Sequence, residues 1–153
     1  MTDDGLRYFD DYVPGTTHDC GSVSVSQAEI ISFATQFDPQ PFHVDPEAAA
    51  RGPYGGLIAS GWHTAALTMR QLVDHYLPAE ASLGSPGMDE IRWLGPVRPG
   101  DTLRVRAIVL EARRSQSKPD RGIMKTVIEA VNQDDRTVMR AIGTNFLLVR
   151  PDA

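Results

Sequence analysis

The feature that most constrains this chain is a change of period at Pro86. Before it, apolar residues recur at three- and four-residue steps. After it, four segments rich in Val, Ile, Leu and Thr are cut apart by turn residues. The four cover residues 88–94, 102–113, 121–132 and 137–149, with turns over 96–101, 115–120 and 132–136. Leu103, Val105, Ala107 and Val109 alternate with Arg104, Arg106 and Ile108, which is the period of a half-buried strand. Helices first and strands afterwards predict an α+β domain rather than βαβ units.

The helical half has its own punctuation. Residues 23–37 read as a first helix, with Ser26 and Glu29 as a capping box and Ile30, Phe33, Ala34 and Phe37 on one apolar face. Asp38-Pro39 stops it, and residues 8–11 and 13–15 ahead of it read as an irregular or short-strand lead-in with a turn. Residues 46–50 predict a short helical turn, and the glycine-rich 51–56 a mobile flap lacking the Lys-Ser/Thr ending of a phosphate loop. The longest helical pattern covers 62–77, with Ala66, Met69, Leu72, Val73 and Tyr76 as its expected buried face and Pro78 as its stop. About sixteen residues make a rod of roughly 24 Å, enough to cross a sheet face. The expected architecture is therefore a meander of four antiparallel strands wrapped around a long helix. A meander leaves an edge strand, and pairing two edges predicts a dimer.

Length and charge narrow the partners. The 153 residues fit a single domain, 1–153, able to bury a core without staples. A net charge of -5 argues against general nucleic-acid binding. Cys20 is the only cysteine, which excludes an intrachain disulfide and points to a reducing compartment. The acidic start, Met1 to Gly5, has no apolar run behind it, so no secretory signal is expected. No segment reaches the ~20 apolar residues of a membrane span. The expectation is a cytoplasmic protein without membrane or nucleic-acid partners.

The chemistry concentrates in Phe37-Asp-Pro-Gln-Pro-Phe-His-Val-Asp45 and, sixteen residues after Asp45, Gly61 in Gly55-Gly-Leu-Ile-Ala-Ser-Gly-Trp-His63. Pro39 and Pro41 fix their own φ and push the preceding residues toward extended backbone, so Asp38 and His43 sit on a short, stiff loop. An acid and an imidazole held this way suit proton transfer on a small molecule. The spacing alone also suits a helix-terminating Asp38 and a hydrogen-bonded loop His43.

On these residues the chain resembles the MaoC-like dehydratases, or R-specific enoyl-CoA hydratases, of the hot-dog fold. The likeness extends through Tyr8-Phe-Asp-Asp11, Ser24 to Ala34, Asp38 to Asp45, Gly56 to Gly61, and Trp93-Leu-Gly-Pro-Val-Arg-Pro-Gly-Asp-Thr-Leu103. It implies that Asp38 and His43 activate a water that adds across the double bond of a trans-2-enoyl-CoA. It also implies that the Gly61 N–H binds the thioester oxygen at the start of the long helix. Coenzyme A thioester is then the substrate, and no metal or other cofactor is required. The chain departs from the family pattern at Phe37, where glycine is usual, at Gln40 for Asn, at Phe42 for an aliphatic residue and at Ser60 for His. Phe37, Phe42, Ser60 and Trp62 are the expected substrate-binding residues, and the bulk of the aromatic three bears on the acyl group accepted.

The remaining candidates have plainer readings. His63 reads as structural, His18 and His75 as surface residues, Asp45 as a cap and Cys20 as a small buried side chain. Arg113, Arg114 and Lys118 read as solvated turn charge, with contact to coenzyme A phosphates as the alternative. Two other functions remain open: a hot-dog thioesterase, which would attack the carbonyl through a lone carboxylate, and a non-catalytic acyl-CoA-binding subunit.

Overall fold

The computed structural model describes residues 6–152. Met1 to Gly5, read above as no secretory signal, lie outside the described residues. A short 3-10 turn, Phe9–Asp11, leads into β1 (Thr17–Ser24) and then α1 (Gln27–Phe37), α2 (Pro41–Val44), α3 (Pro46–Arg51) and α4 (Gly61–His75). Four strands follow: β2 (Gly87–Trp93), β3 (Thr102–Arg114), β4 (Arg121–Val131) and β5 (Thr137–Leu148). The sheet is antiparallel throughout, in the order β1-β3-β4-β5-β2, and it packs against α4 in the hot-dog arrangement.

Two sequence expectations change here. The first helix starts at Gln27 rather than Val23, because Val23 and Ser24 finish β1 by pairing with Leu103 and Thr102. Ser26 caps α1 as expected, accepting from the Glu29 N–H at 3.2 Å, while the Glu29 carboxylate returns to the Ser26 hydroxyl at 3.1 Å. β1 itself escaped the sequence reading. Its residues are largely polar, and a bulge between Asp19 and Ser22 breaks the alternation, with Gly21 at φ +74°. The four-strand meander is the second correction. Only β3, β4 and β5 follow one another; β2 crosses to the far edge beside β5, and β1 takes the place next to β3.

The helix α4 buries a different face from the one its apolar residues mark. Leu72 and Tyr76 are buried as expected, but Ala66, Met69 and Val73 are exposed. His63, Thr64, Thr68 and Gln71 take the inner positions instead. Small hydroxyl side chains let the helix lie close to the sheet, and Thr68 satisfies its hydroxyl on the Thr64 carbonyl at 2.8 Å. The sheet contributes Leu103, Val105, Ala107 and Val109 from β3, with Met124, Ile128 and Ala130 from β4, to the same core. Among the described residues no helix is long and apolar enough to cross a membrane.

Candidate active site

The site forms where the end of α1 meets the start of α4. Asp38 closes α1, its N–H bonding the Ala34 carbonyl at 2.8 Å. Gln40 is extended (φ −81°, ψ 147°), and Pro41 then opens the single turn of α2, where its missing N–H is no loss. That turn carries His43 inward until only 5% of it is exposed.

The imidazole is pinned at one nitrogen. His43 Nδ1 lies 2.7 Å from the Ile58 carbonyl oxygen, which can only accept, so Nδ1 carries the proton. In the neutral ring Nε2 is then a lone pair. It faces Asp38 Oδ2 at 3.3 Å, another acceptor. Asp38 is itself supplied with donors: the Ser60 hydroxyl at 2.7 Å on Oδ2 and the Gln40 amide at 2.7 Å on Oδ1. Burial pushes the Asp38 carboxyl up, but the bonds from Gln40 and Ser60 and the neighbouring His43 outweigh it. Asp38 therefore ends below the usual aspartate value.

A cavity of about 310 Å³ opens beside this pair. Its polar wall is His43, Gly61 and Thr64; Phe42, Tyr54 and Trp93 are its aromatic walls. Gly61 is the first residue of α4, where helix N–H groups lack intrahelical partners. Ser60 satisfies the next one, accepting from Trp62 N–H at 3.2 Å. Among the described residues nothing accepts from the Gly61 N–H.

Of the expected residues, His43, Gly61 and Phe42 line the cavity, and Asp38 joins them through His43 without lining it. The structure separates the other three expected substrate contacts. Phe37 is 64% exposed and leans on Phe33 at 5.0 Å instead of facing the cavity. Ser60 has no exposed surface and reaches the site only through Asp38, because its hydroxyl is spent on the carboxylate and the helix cap. Trp62 points outward and meets Trp93 edge-on at 5.1 Å.

Sequence reading missed the Ile58 carbonyl, Tyr54 and Trp93. Tyr54 had one signal, an aromatic residue inside a glycine-rich loop; Trp93 had read as an ordinary strand end. His63 is buried and stacked on Phe33 at 4.6 Å, with Nδ1 unpartnered, and burial holds its imidazole below the ordinary histidine value. His18 is not the surface residue expected: it sits half-buried against Tyr12 and Tyr76. Among the described residues no cluster of three or more His, Cys, Asp or Glu side chains is placed to hold a metal ion.

Known proteins share this fold. The MaoC-like dehydratase from Rhodospirillum rubrum superposes with a TM-score of 0.89 at 42% identity, covering 95% of this chain and 99% of that one. The 3-hydroxyacyl-thioester dehydratase Z of Mycobacterium tuberculosis is 38% identical over 84 residues, 54% of this chain and 56% of that protein. The chain spans only about half the length of that relative. The R-hydratase PhaJ1 from Pseudomonas aeruginosa is alike in fold, with a TM-score of 0.74 at 23% identity over 95% of this chain and 88% of that one. A family model described as a MaoC like domain matches residues 12–132. That match takes in Asp38, His43 and Gly61, and the chain belongs to the MaoC-like domain family.

Proposed function

We propose that the protein is a hydro-lyase that adds water to a trans-2-enoyl-CoA to give an (R)-3-hydroxyacyl-CoA, or runs the reverse dehydration. The observation that carries this reading is the pair of facing acceptors, Asp38 Oδ2 and His43 Nε2, 3.3 Å apart beside a cavity that also includes Gly61. Two lone pairs that face each other call for a donor between them. A water giving one proton to each keeps its own lone pair free to attack Cβ of the enoyl group.

The proton path follows from the unequal surroundings of the two groups. Asp38 is held ionised by the bonds from Gln40 and Ser60. His43 Nε2 takes the water proton as the C–O bond forms, and the Asp38 carboxylate stabilises the resulting imidazolium. The same proton then goes to Cα, leaving hydroxyl on Cβ and hydrogen on Cα. Negative charge that develops on the thioester oxygen meets the Gly61 N–H and the positive end of α4. The coenzyme A thioester enters as substrate, and the reaction needs no further cofactor. The name of the Mycobacterium relative, a 3-hydroxyacyl-thioester dehydratase, supports the reaction class.

The working unit in this reading is one domain per chain, paired as a homodimer or a multiple of one, in the cytoplasm. β2 has a partner on one side only. On α4, Trp62, Met69 and Val73 expose 59%, 46% and 51% of their surface along one side of the helix. Light scattering is expected to give a multiple of the 16.8 kDa chain that falls on combining Met69→Asp with Val73→Asp. A monomeric, fully active wild type would remove the dimer.

Crotonyl-CoA tests the reaction. Loss of the conjugated enoyl absorbance without release of thiol is the expected result. Free thiol would make the protein a thioesterase, and neither signal would leave a binding subunit.

A further inference from the structure

Trp93 ends β2 with its indole laid over the α-carbon of Gly61. A methyl group built on that glycine would lie 2.5 Å from Trp93 Cε2 and 2.6 Å from Cδ2, well inside contact distance. The ring therefore forms the cavity wall against Gly61. Trp62 braces it edge-on, with ring centroids 5.1 Å apart and planes at 78°. Across the cavity Phe42 and Tyr54 form a second aromatic wall, their rings 5.6 Å apart. The Arg98 guanidinium holds that wall in place by donating to the Tyr54 carbonyl at 2.6 Å.

Between these walls lies about 310 Å³. That is the bottom of the range for small-molecule sites, roughly 300–1,000 Å³. The head of the acyl group has no freedom to slide, because its carbonyl must reach Gly61 while Cβ reaches the Asp38–His43 water. An acyl chain that extends past Cβ within this cavity meets the Trp93 indole beside Gly61.

From this geometry we infer that Trp93 is a specificity-determining residue that limits the substrate to short acyl chains of crotonyl size. The inference rests on the hydratase reading and names its substrate class. Removing the indole opens the wall without touching Asp38, His43 or Ser60.

The test measures kcat/KM for trans-2-butenoyl-, hexenoyl- and octenoyl-CoA with wild type, Trp93→Phe and Trp93→Ala. One methylene in an apolar pocket changes discrimination by about 10–200-fold. Wild type is expected to favour the butenoyl substrate, and Trp93→Ala to raise the octenoyl-to-butenoyl ratio by about tenfold or more, with Trp93→Phe between. Should Trp93→Ala fail to fold, the Phe variant carries the comparison.

Calorimetric binding of S-butyl- and S-octyl-CoA thioethers, which cannot be hydrated, reads the same limit without turnover. Preference for the butyl thioether that Trp93→Ala relieves, in the absence of hydration, keeps the size limit and removes the hydratase reading. Equal binding of the two thioethers by wild type, or a chain-length ratio unmoved by both substitutions, overturns the role of Trp93.

Discussion

The two ends of α4 each hold a buried polar network, and the networks differ in one respect. At the C-terminal end the Tyr12 hydroxyl donates to the Tyr76 carbonyl, and the Tyr76 hydroxyl pairs with Thr126 Oγ1 at 2.9 Å. Arg7 covers the His75 carbonyl at 3.0 Å. The carbonyls and hydroxyls there have partners, and burial pushes the Tyr12 phenol up to about 12 and raises Tyr76 as well. At the N-terminal end Ser60 and Gln40 donate to Asp38 Oδ2 and Oδ1, and the Ile58 carbonyl holds His43 Nδ1. Asp38 Oδ2 and His43 Nε2, both acceptors when the imidazole is neutral, lie 3.3 Å apart, and His43 lines the cavity. A closed network stabilises a fold; one with an open donor position can take a substrate proton. Burial of polar groups is common to both ends; the facing acceptors and the adjoining cavity distinguish the N-terminal one.

Breaking the open network is expected to have the largest effect on turnover. Asp38→Asn and His43→Ala should each lower kcat by about 10²–10⁴-fold, the scale of a positioned acid or base. The melting curve should remain cooperative. Because both groups act on one water, the double variant should be far less than additive. Steady-state kinetics on crotonyl-CoA decides this, and near-normal turnover by either single variant removes that residue from the mechanism.

Gly61→Ala attacks the same end from the oxyanion side. Its methyl meets the Trp93 ring before it meets any substrate, so the indole must move. A lost or displaced oxyanion donor is worth roughly 2.7–4 kcal/mol in a water-excluded site. Partial displacement here is expected to cost tens- to several-hundred-fold in kcat/KM, with a change in tryptophan fluorescence. Full activity with unaltered fluorescence would show that Gly61 serves neither role.

The closed network should respond in stability instead. Tyr76→Phe leaves Thr126 without its partner and is expected to cost about 1–3 kcal/mol, read from urea unfolding. kcat per folded molecule should be unchanged. A fall in kcat without a fall in stability would mean that the two ends of α4 are coupled.

The smallest effect is a pH dependence. Burial lowers the His63 pKa, with Glu29 pulling the other way. A histidine depressed in the fold contributes stability above its unfolded value, near 6.5, and that contribution is lost as the pH falls through the folded value. The urea midpoint is therefore expected to fall below about pH 6.5, and His63→Leu to flatten that slope. His18, also lowered by burial, leaves a residual slope in the variant. An identical slope in wild type and His63→Leu would place the titration elsewhere.

Local features of the chain were legible wherever one residue type decides the outcome. Ser26 caps α1, Asp45 caps α3 through the Glu47 and Ala48 N–H groups, and the alternation in β3 buries Leu103, Val105, Ala107 and Val109. The link from Asp38 to His43, expected as a stiff loop, instead contains the helical turn α2. β1 was not legible, since a polar, bulged strand carries no period of two. The apolar stripe of α4 is legible as a stripe, but its Ala66, Met69 and Val73 are exposed in the folded chain. Periodicity reports that a face is apolar and says nothing about which surface covers it.

By itself the sequence determined the chemistry available: an acid and an imidazole five positions apart, prolines that stiffen the link, and a glycine at the start of a long helix. Its resemblance to MaoC-like dehydratases attached a reaction to them. Only the tertiary structure decided that Ile58, fifteen residues beyond His43, fixes the imidazole tautomer. The fold alone also turns Ser60 toward Asp38 rather than substrate, and lays Trp93 across Gly61 from the far edge of the sheet. These are contacts between segments distant along the chain. Their geometry depends on where β2 enters the sheet and how closely α4 lies on it, and neither quantity is encoded in the spacing of neighbouring residues.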